Sequence, residues 1–164
     1  MACYEGSLTR DDEYMTPKSA WEEIHQLIPK GKVIWEAFYG DGNSGTYLRE
    51  LGFEEVIHEP IDFFEHDLGD MVVSNPPFSL KKQVLERLVS LDKPFILLMP
   101  IATLATTYCR NLFERRGGLR VVLPKKRIQF VKNGETTSRC NFETAYFLYK
   151  IDVPDGVSFW VSPS

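Results

Sequence analysis

Apolar positions along the chain switch repeatedly between a helical period and short strand-like runs. Ala20, Ile24, Leu27 and Ile28 recur at helical spacing behind Thr16-Pro17, where Thr16 suits an N-cap and Pro17 the first helical position. Pro29-Lys30-Gly31 ends that helix, and Trp21 and Trp35 read as core. Residues 33–38 form a mostly buried strand that breaks at Tyr39-Gly40-Asp41-Gly42-Asn43-Ser44-Gly45, before a short helix to Leu51. Residues 56–64 have strand character interrupted by Pro60. Residues 71–74 are a further strand, followed by an amphipathic helix from Ser79, its N-cap, to Leu91. Residues 95–99 are continuously apolar, as in a strand buried on both faces. A helix from about Leu104 ends at Arg115-Arg116-Gly117, with basic residues before the glycine.

Residues 121–123 make another strand. Lys132-Asn133-Gly134 is a turn signal, and residues 145–149 are expected to pair with 127–131 as a terminal hairpin. This order predicts an α/β fold: a single Rossmann-like domain with a mostly parallel sheet and a C-terminal antiparallel hairpin. Residues 1–13 are expected to be a loose polar N-terminus and 14–164 the domain, with no internal repeat or linker.

Composition narrows the class. With 164 residues, 43% hydrophobic and 26% charged, the chain suits one soluble globular domain. No apolar run reaches the roughly 20 residues of a membrane span, and the N-terminus lacks a secretory pattern, so an intracellular, reducing setting, cytoplasmic or nuclear, is expected. Cys3, Cys109 and Cys140 are scattered, as are His25, His58 and His66, which supports neither a disulfide framework nor a metal site. The net charge of −4 hides an asymmetry: residues 11–70 carry −11 and residues 81–150 carry +9. Such a split is a hint of a polyanion-binding half, and equally describes two solvated faces.

Two stretches carry chemistry. Asn75-Pro76-Pro77-Phe78 lies where a buried strand gives way to a helix, the edge at which open α/β sheets collect ligands. Consecutive prolines remove two donors and leave carbonyls to accept hydrogen bonds. Asn75 adds a side-chain acceptor and Phe78 a flat face, a pocket for a planar group with an amino donor. Gly40-Asp41-Gly42-Asn43-Ser44-Gly45 fits GxGxxG between strand and helix, and Glu59 and Asp62 fall 17 and 20 residues beyond Gly42, where a ribose-binding acid is expected. Asp41 also reads as a turn residue. A nicotinamide cofactor and S-adenosylmethionine both fit that loop, although a hydride-transfer constellation is not evident.

Thr16-Pro17, Glu36-Ala37-Phe38-Tyr39-Gly40-Asp41-Gly42, Asp62-Phe63-Phe64 and Asn75-Pro76-Pro77-Phe78, in that order, resemble motifs X, I, III and IV of class I S-adenosylmethionine-dependent adenine-N(6) DNA methyltransferases. The order resembles the γ group, and the chain is similar to small phage and viral DNA adenine methylases. The resemblance covers about residues 14–80, and Arg127-Ile128-Gln129-Phe130 more weakly. It implies methyl transfer to the exocyclic amine of adenine, with Asn75, Pro76, Pro77 and Phe78 at the catalytic site and Phe78 stacked on the base. It implies cofactor contacts from Tyr14, Thr16, Pro17, Glu36, Phe38, Gly40, Gly42, Glu59, Asp62 and Phe63. Lys81, Lys82, Lys125, Lys126, Arg127, Lys132 and Arg139 are the expected nucleic-acid contacts, without a metal.

Two departures stand out. Glu59 and Asp62 almost touch in sequence, so a strand–helix unit between the second and third strands is shortened or lost. No segment is long enough for a target recognition domain, which leaves site choice to a homo-oligomer or a specificity partner. The alternatives are the same chemistry on RNA, a catalytically silent binding subunit, glutamine methylation of proteins (disfavoured by Phe78 in place of Tyr) and, more distantly, a nicotinamide oxidoreductase.

Overall fold

A computed structural model describes residues 15–116, 118–132, 135–136, 143–153 and 159–161. Tyr14 and Arg139 lie outside the described residues, as does the side chain of Lys132. The chain is α/β with a mixed sheet. Its strands are β1 (Ile34–Trp35), β2 (Val56–Ile57), β3 (Met71–Ser74), β4 (Phe95–Pro100), β5 (Leu119–Val122), β6 (Val131–Lys132), β7 (Glu135–Thr136), β8 (Thr144–Tyr149) and β9 (Phe159–Val161). The main sheet runs β2-β1-β3-β4-β8-β5-β9, while β6 and β7 pair separately. β2, β1, β3 and β4 are mutually parallel, and β8 lies antiparallel between β4 and β5.

Alternation along the central strands builds two cores. Phe95, Leu97 and Met99 face one side with Trp35, Val72 and Phe147, while Ile96 and Leu98 face the other with Ile34, Val73 and Tyr146. The helices are α1 (Lys18–Ile24), α2 (Asn43–Glu50), α3 (Lys81–Ser90) and α4 (Thr107–Phe113). Val84, Leu85 and Leu88 of α3 and Phe113 of α4 cover the first face, and Ala20, Trp21 and Ile24 of α1 with Leu48 of α2 cover the second. A sheet with helices on both faces follows from strands that are apolar on both sides.

Several local expectations are corrected. The hairpin of 127–131 with 145–149 does not form: β8 enters the main sheet instead. All of β8 is buried, whereas exposed Arg127 and Gln129 alternate with buried Ile128 and Phe130. A continuous apolar strand needs cover on both faces, which the sheet interior offers and a peripheral hairpin does not. Thr16 does not cap α1: the helix opens at Lys18 behind Pro17, held extended at ψ 155°, because Met15 is drawn into antiparallel pairing with Val131 (N–H to carbonyl 2.7 and 2.8 Å). Ser79 does not cap α3, since residues 78–80 form a 3-10 turn and the helix begins at Lys81. A 3-10 turn likewise occupies 101–105, so α4 starts at Thr107 with Thr106 accepting from the Cys109 N–H (3.3 Å).

Between β2 and β3, residues 58–70 contain no helix or strand. Two cations hold this stretch down. Arg87 of α3 donates to the carbonyls of Phe63 (3.0 Å) and His66 (2.9 Å). Lys93, only 7% exposed, reaches Asp67 and the carbonyls of Leu68 (2.7 Å) and Gly69 (2.6 Å). A buried ammonium is tolerated because each of its donors has a partner.

Candidate functional site

The chain leaves β1 on one side to form β2 and returns on the other side of β1 as β3, so the strand order reverses between β1 and β3. Ligands of open α/β sheets bind in the crevice outside the carboxyl ends of such strands. The carboxyl end of β1 carries Glu36 to Gly42, that of β2 carries His58 and Glu59, and that of β3 carries Asn75 to Phe78. Parallel pairing in the registers Trp35↔Ile57 and Trp35↔Val72 sets the three segments side by side.

A ring of contacts closes around this crevice. Phe78 meets Phe130 edge-to-face at 6.3 Å, and the next residue, Val131, pairs with Met15. Met15 lies against Gly40, where a Cβ would fall 2.9 Å from the Met15 Sδ. Gly40 has φ 58° and Gly42 φ 84°, left-handed conformations that glycine adopts without strain. Glu36 accepts a hydrogen bond from the Ser74 hydroxyl, which leads directly to Asn75. Trp21 Nε1 donates to Ser44 Oγ (3.0 Å), fixing α1 against the start of α2.

Among the described residues six buried side-chain polar atoms lack a partner, and Asn75 Oδ1, Thr16 Oγ1 and His58 Nε2 are three of them that belong to the segments gathered here. Unsatisfied buried polar atoms are uncommon and call for an explanation such as a ligand. Thr16 is 5% exposed, and its hydroxyl is spared the capping role expected of it.

The remaining expected residues divide. Pro17 and Asp62 are half-buried, and Glu59 is exposed beyond β2. The Asp62 carboxylate accepts from the Phe64 N–H (2.9 Å), so it stiffens its own turn. Phe63 is fully buried against Phe38 (centroids 4.9 Å) and Trp35 (5.5 Å), and Phe38 is 4% exposed. Both rings are core in this arrangement and leave almost no surface for a cofactor. Phe78 is 8% exposed, with little of its ring open to a base. Pro76 and Pro77 are buried beside it. Glu36 is 1% exposed, and its carboxylate meets the Ser74 hydroxyl, His58 Nδ1 and, more distantly, the Phe38 N–H.

Of the expected cations, Lys82, Lys125, Lys126 and Arg127 are exposed. Lys82 lies over the Tyr108 ring at 5.8 Å, and Arg127 pairs with Glu143 at 3.2 Å. The Lys125 backbone N–H is tied to Glu23 of α1. Lys81, half-buried, turns back to the Phe78 carbonyl (3.3 Å).

Residues that sequence reasoning passed over complete the site. His58 Nδ1 stands 3.0 Å from Glu36 Oε2, with both side chains 2% exposed, and 3.2 Å from the Glu36 carbonyl. Both neighbours are acceptors, so Nδ1 carries a proton. Burial disfavours the charged ring, but the hydrogen bond and charge of Glu36 outweigh it, and the His58 pKa lies above its ordinary value despite the opposing Arg49. A signal for this pair does exist: one acid and one histidine each end an apolar strand, at positions that parallel pairing makes neighbours.

A second concavity, an open cavity of about 1100 Å³, lies at the opposite edge of the sheet and includes Lys30, Lys32, Arg116, Arg120 and Lys150 in its lining. It contains none of the expected residues, and none of its lining side chains has an unpartnered buried polar atom. Among the described residues no group of His, Cys, Asp and Glu is arranged to hold a metal, and no helix is long and apolar enough to cross a membrane. No family model and no curated protein sequence matches the chain.

Proposed function

We propose that the protein is an S-adenosylmethionine-dependent adenine-N(6) methyltransferase of class I fold acting on DNA. One observation carries the reading: Asn75 Oδ1 is buried and unpartnered at the strand-reversal crevice, beside a loop with two left-handed glycines. A buried acceptor without a donor costs on the order of 1–3 kcal/mol, and an amino-bearing ligand removes that cost.

The residues present fit the cofactor. Gly40 and Gly42 give a loop whose left-handed turns let backbone approach a ligand, Thr16 offers a buried hydroxyl with no partner among the described residues, and Glu59 and Asp62, beyond β2, are the acids available to a ribose. S-adenosylmethionine, when bound, supplies the methyl group and leaves as S-adenosylhomocysteine.

The chain's own task is to position and polarise the amine. An adenine amino nitrogen is a weak nucleophile because its lone pair is delocalised into the ring. Asn75 Oδ1 accepts one N–H and the Pro76 carbonyl the other, which draws the nitrogen toward a pyramidal shape with its lone pair directed out of the ring plane. The buried Pro76-Pro77 pair fixes the direction of these acceptors. Phe78 anchors the segment on Phe130, and stacking on the base requires the 128–131 segment to draw back. Exposed Lys82, Lys125, Lys126 and Arg127 serve phosphates, which confer affinity and orientation rather than sequence choice. In a duplex the base must first leave the stack.

Calorimetry with S-adenosylmethionine and label transfer to DNA test the proposal together. Wild-type protein is expected to bind and transfer, and Asn75→Ala to bind with unchanged affinity while losing transfer. Absence of binding by the wild type overturns the reading.

A further inference from the structure

Building on the adenine methyltransferase reading, we infer that His58 is a positioning residue that holds both halves of the site from one imidazole. Its first arm runs through Glu36. Nδ1 donates to Glu36 Oε2 (3.0 Å), and Oε1 accepts from the Ser74 hydroxyl and, more distantly, from the Phe38 N–H (3.4 Å). Ser74 is fully buried and precedes Asn75, so the imidazole fixes the acceptor strand through one carboxylate. The second arm runs through Tyr39, whose ring stacks on His58 at 4.8 Å and 22°. The Tyr39 hydroxyl lies against Gly42, where a Cβ would fall 2.9 Å from it. The imidazole also packs against Gly45 of α2, so closely that a Cβ there would fall 2.3 Å from Cδ2.

The ring therefore cannot tilt without moving either the loop that carries Gly40 and Gly42 or the carboxylate that steadies Ser74. Ser74, Glu36 and His58 include the residue types of a nucleophilic triad, but the serine donates to the carboxylate rather than to the imidazole and has no exposed surface. The arrangement orients neighbours and attacks nothing.

The two arms separate in the variants. His58→Asn places an amide N–H near the position of Nδ1 and keeps the Glu36 arm while removing the ring that Tyr39 stacks on. His58→Ala removes both. The expected result for His58→Asn is a kcat near wild type with S-adenosylmethionine binding weakened roughly tenfold. His58→Ala is expected to lose cofactor affinity similarly and about a hundredfold in kcat, the scale of an ångström-sized misplacement. Both are compared at temperatures where circular dichroism shows them folded. Where His58→Ala does not fold, His58→Asn carries the test, and wild-type values of both kcat and Kd in that variant overturn the inference. Amide NMR of labelled protein supplies a readout that needs no activity. The Asn75 side-chain amide is expected to hold its shift in His58→Asn while the Gly40 and Gly42 backbone amides move. Unmoved glycine resonances overturn the inference even if the wild type neither binds cofactor nor transfers methyl, a result that by itself would sink only the methyltransferase reading.

Discussion

Replacing Gly45 by alanine sets two effects of opposite sign against each other. Gly45 sits inside α2 with an ordinary helical φ, and on helix propensity alone alanine would stabilise by about 0.8–1 kcal/mol. The added methyl, however, would lie 2.3 Å from His58 Cγ and Cδ2 and 2.4 Å from its Cβ. Ordinary contact requires the imidazole to retreat by roughly an ångström, and Tyr39 at 4.8 Å blocks one direction while Glu36 holds the edge. Overpacking of this kind costs typically about 1–3 kcal/mol, and displacing the hydrogen bond from His58 to the Glu36 carboxylate about 1.5–3. Even partial loss of that bond outweighs the propensity gain, so Gly45→Ala should destabilise by about 2 kcal/mol or more. Urea unfolding at neutral pH measures this directly. In an His58→Ala background the same substitution should cost much less, a coupling that a double-mutant cycle isolates. A Gly45→Ala protein as stable as the wild type would refute the packing of α2 on His58.

Other consequences follow from single residues. Because the His58 pKa is raised above its ordinary value in the fold, its contribution to stability is fully present below about pH 6.5 and is lost as pH rises through the folded value. The stability gap between wild type and His58→Asn should therefore narrow from acid to alkaline pH, and a gap that widens contradicts the Glu36–His58 assignment. Cys109, 1% exposed, has its thiol pushed up to about 11 by burial. Peptide mapping after brief alkylation near pH 8 should find it unmodified in folded protein and modified in urea. Lys82 and Arg127 are exposed on the proposed nucleic-acid side, so alanine at each should flatten the dependence of DNA affinity on salt by roughly one counterion, without altering sequence preference.

How far the chain could be read in advance depended on whether a residue's partner was local. The strand–helix order was legible because periods of two and 3.6 dominate each segment, as in 95–99 and 81–91. β8 went astray because a turn signal at Lys132-Asn133-Gly134 suggested a local partner for 145–149. The unbroken burial that makes those residues resemble 95–99 argued for a place inside the sheet. Thr16 followed capping rules until Met15 paired with Val131, a contact that no local rule contains. Phe63 and Phe38 could not be told apart from ligand-wall aromatics by sequence, since core and pocket rings have the same composition. The gathering of Gly40, Gly42 and Asn75 at one edge was legible, because each follows the end of a parallel strand. His58 carried the same kind of signal, an acid and a histidine each ending an apolar strand, but its partner Glu36 lies 22 residues away and the pairing is readable only once the strand register is known.

The chemistry assigned to Asn75 is tested most directly by identifying the modified nucleoside. DNA incubated with the protein and S-adenosylmethionine, then digested to nucleosides and separated by chromatography with mass detection, should contain N6-methyladenine. The same digest after incubation with Asn75→Ala should contain none. Methyl groups on cytosine, in RNA alone, or in no nucleoside at all would contradict the account.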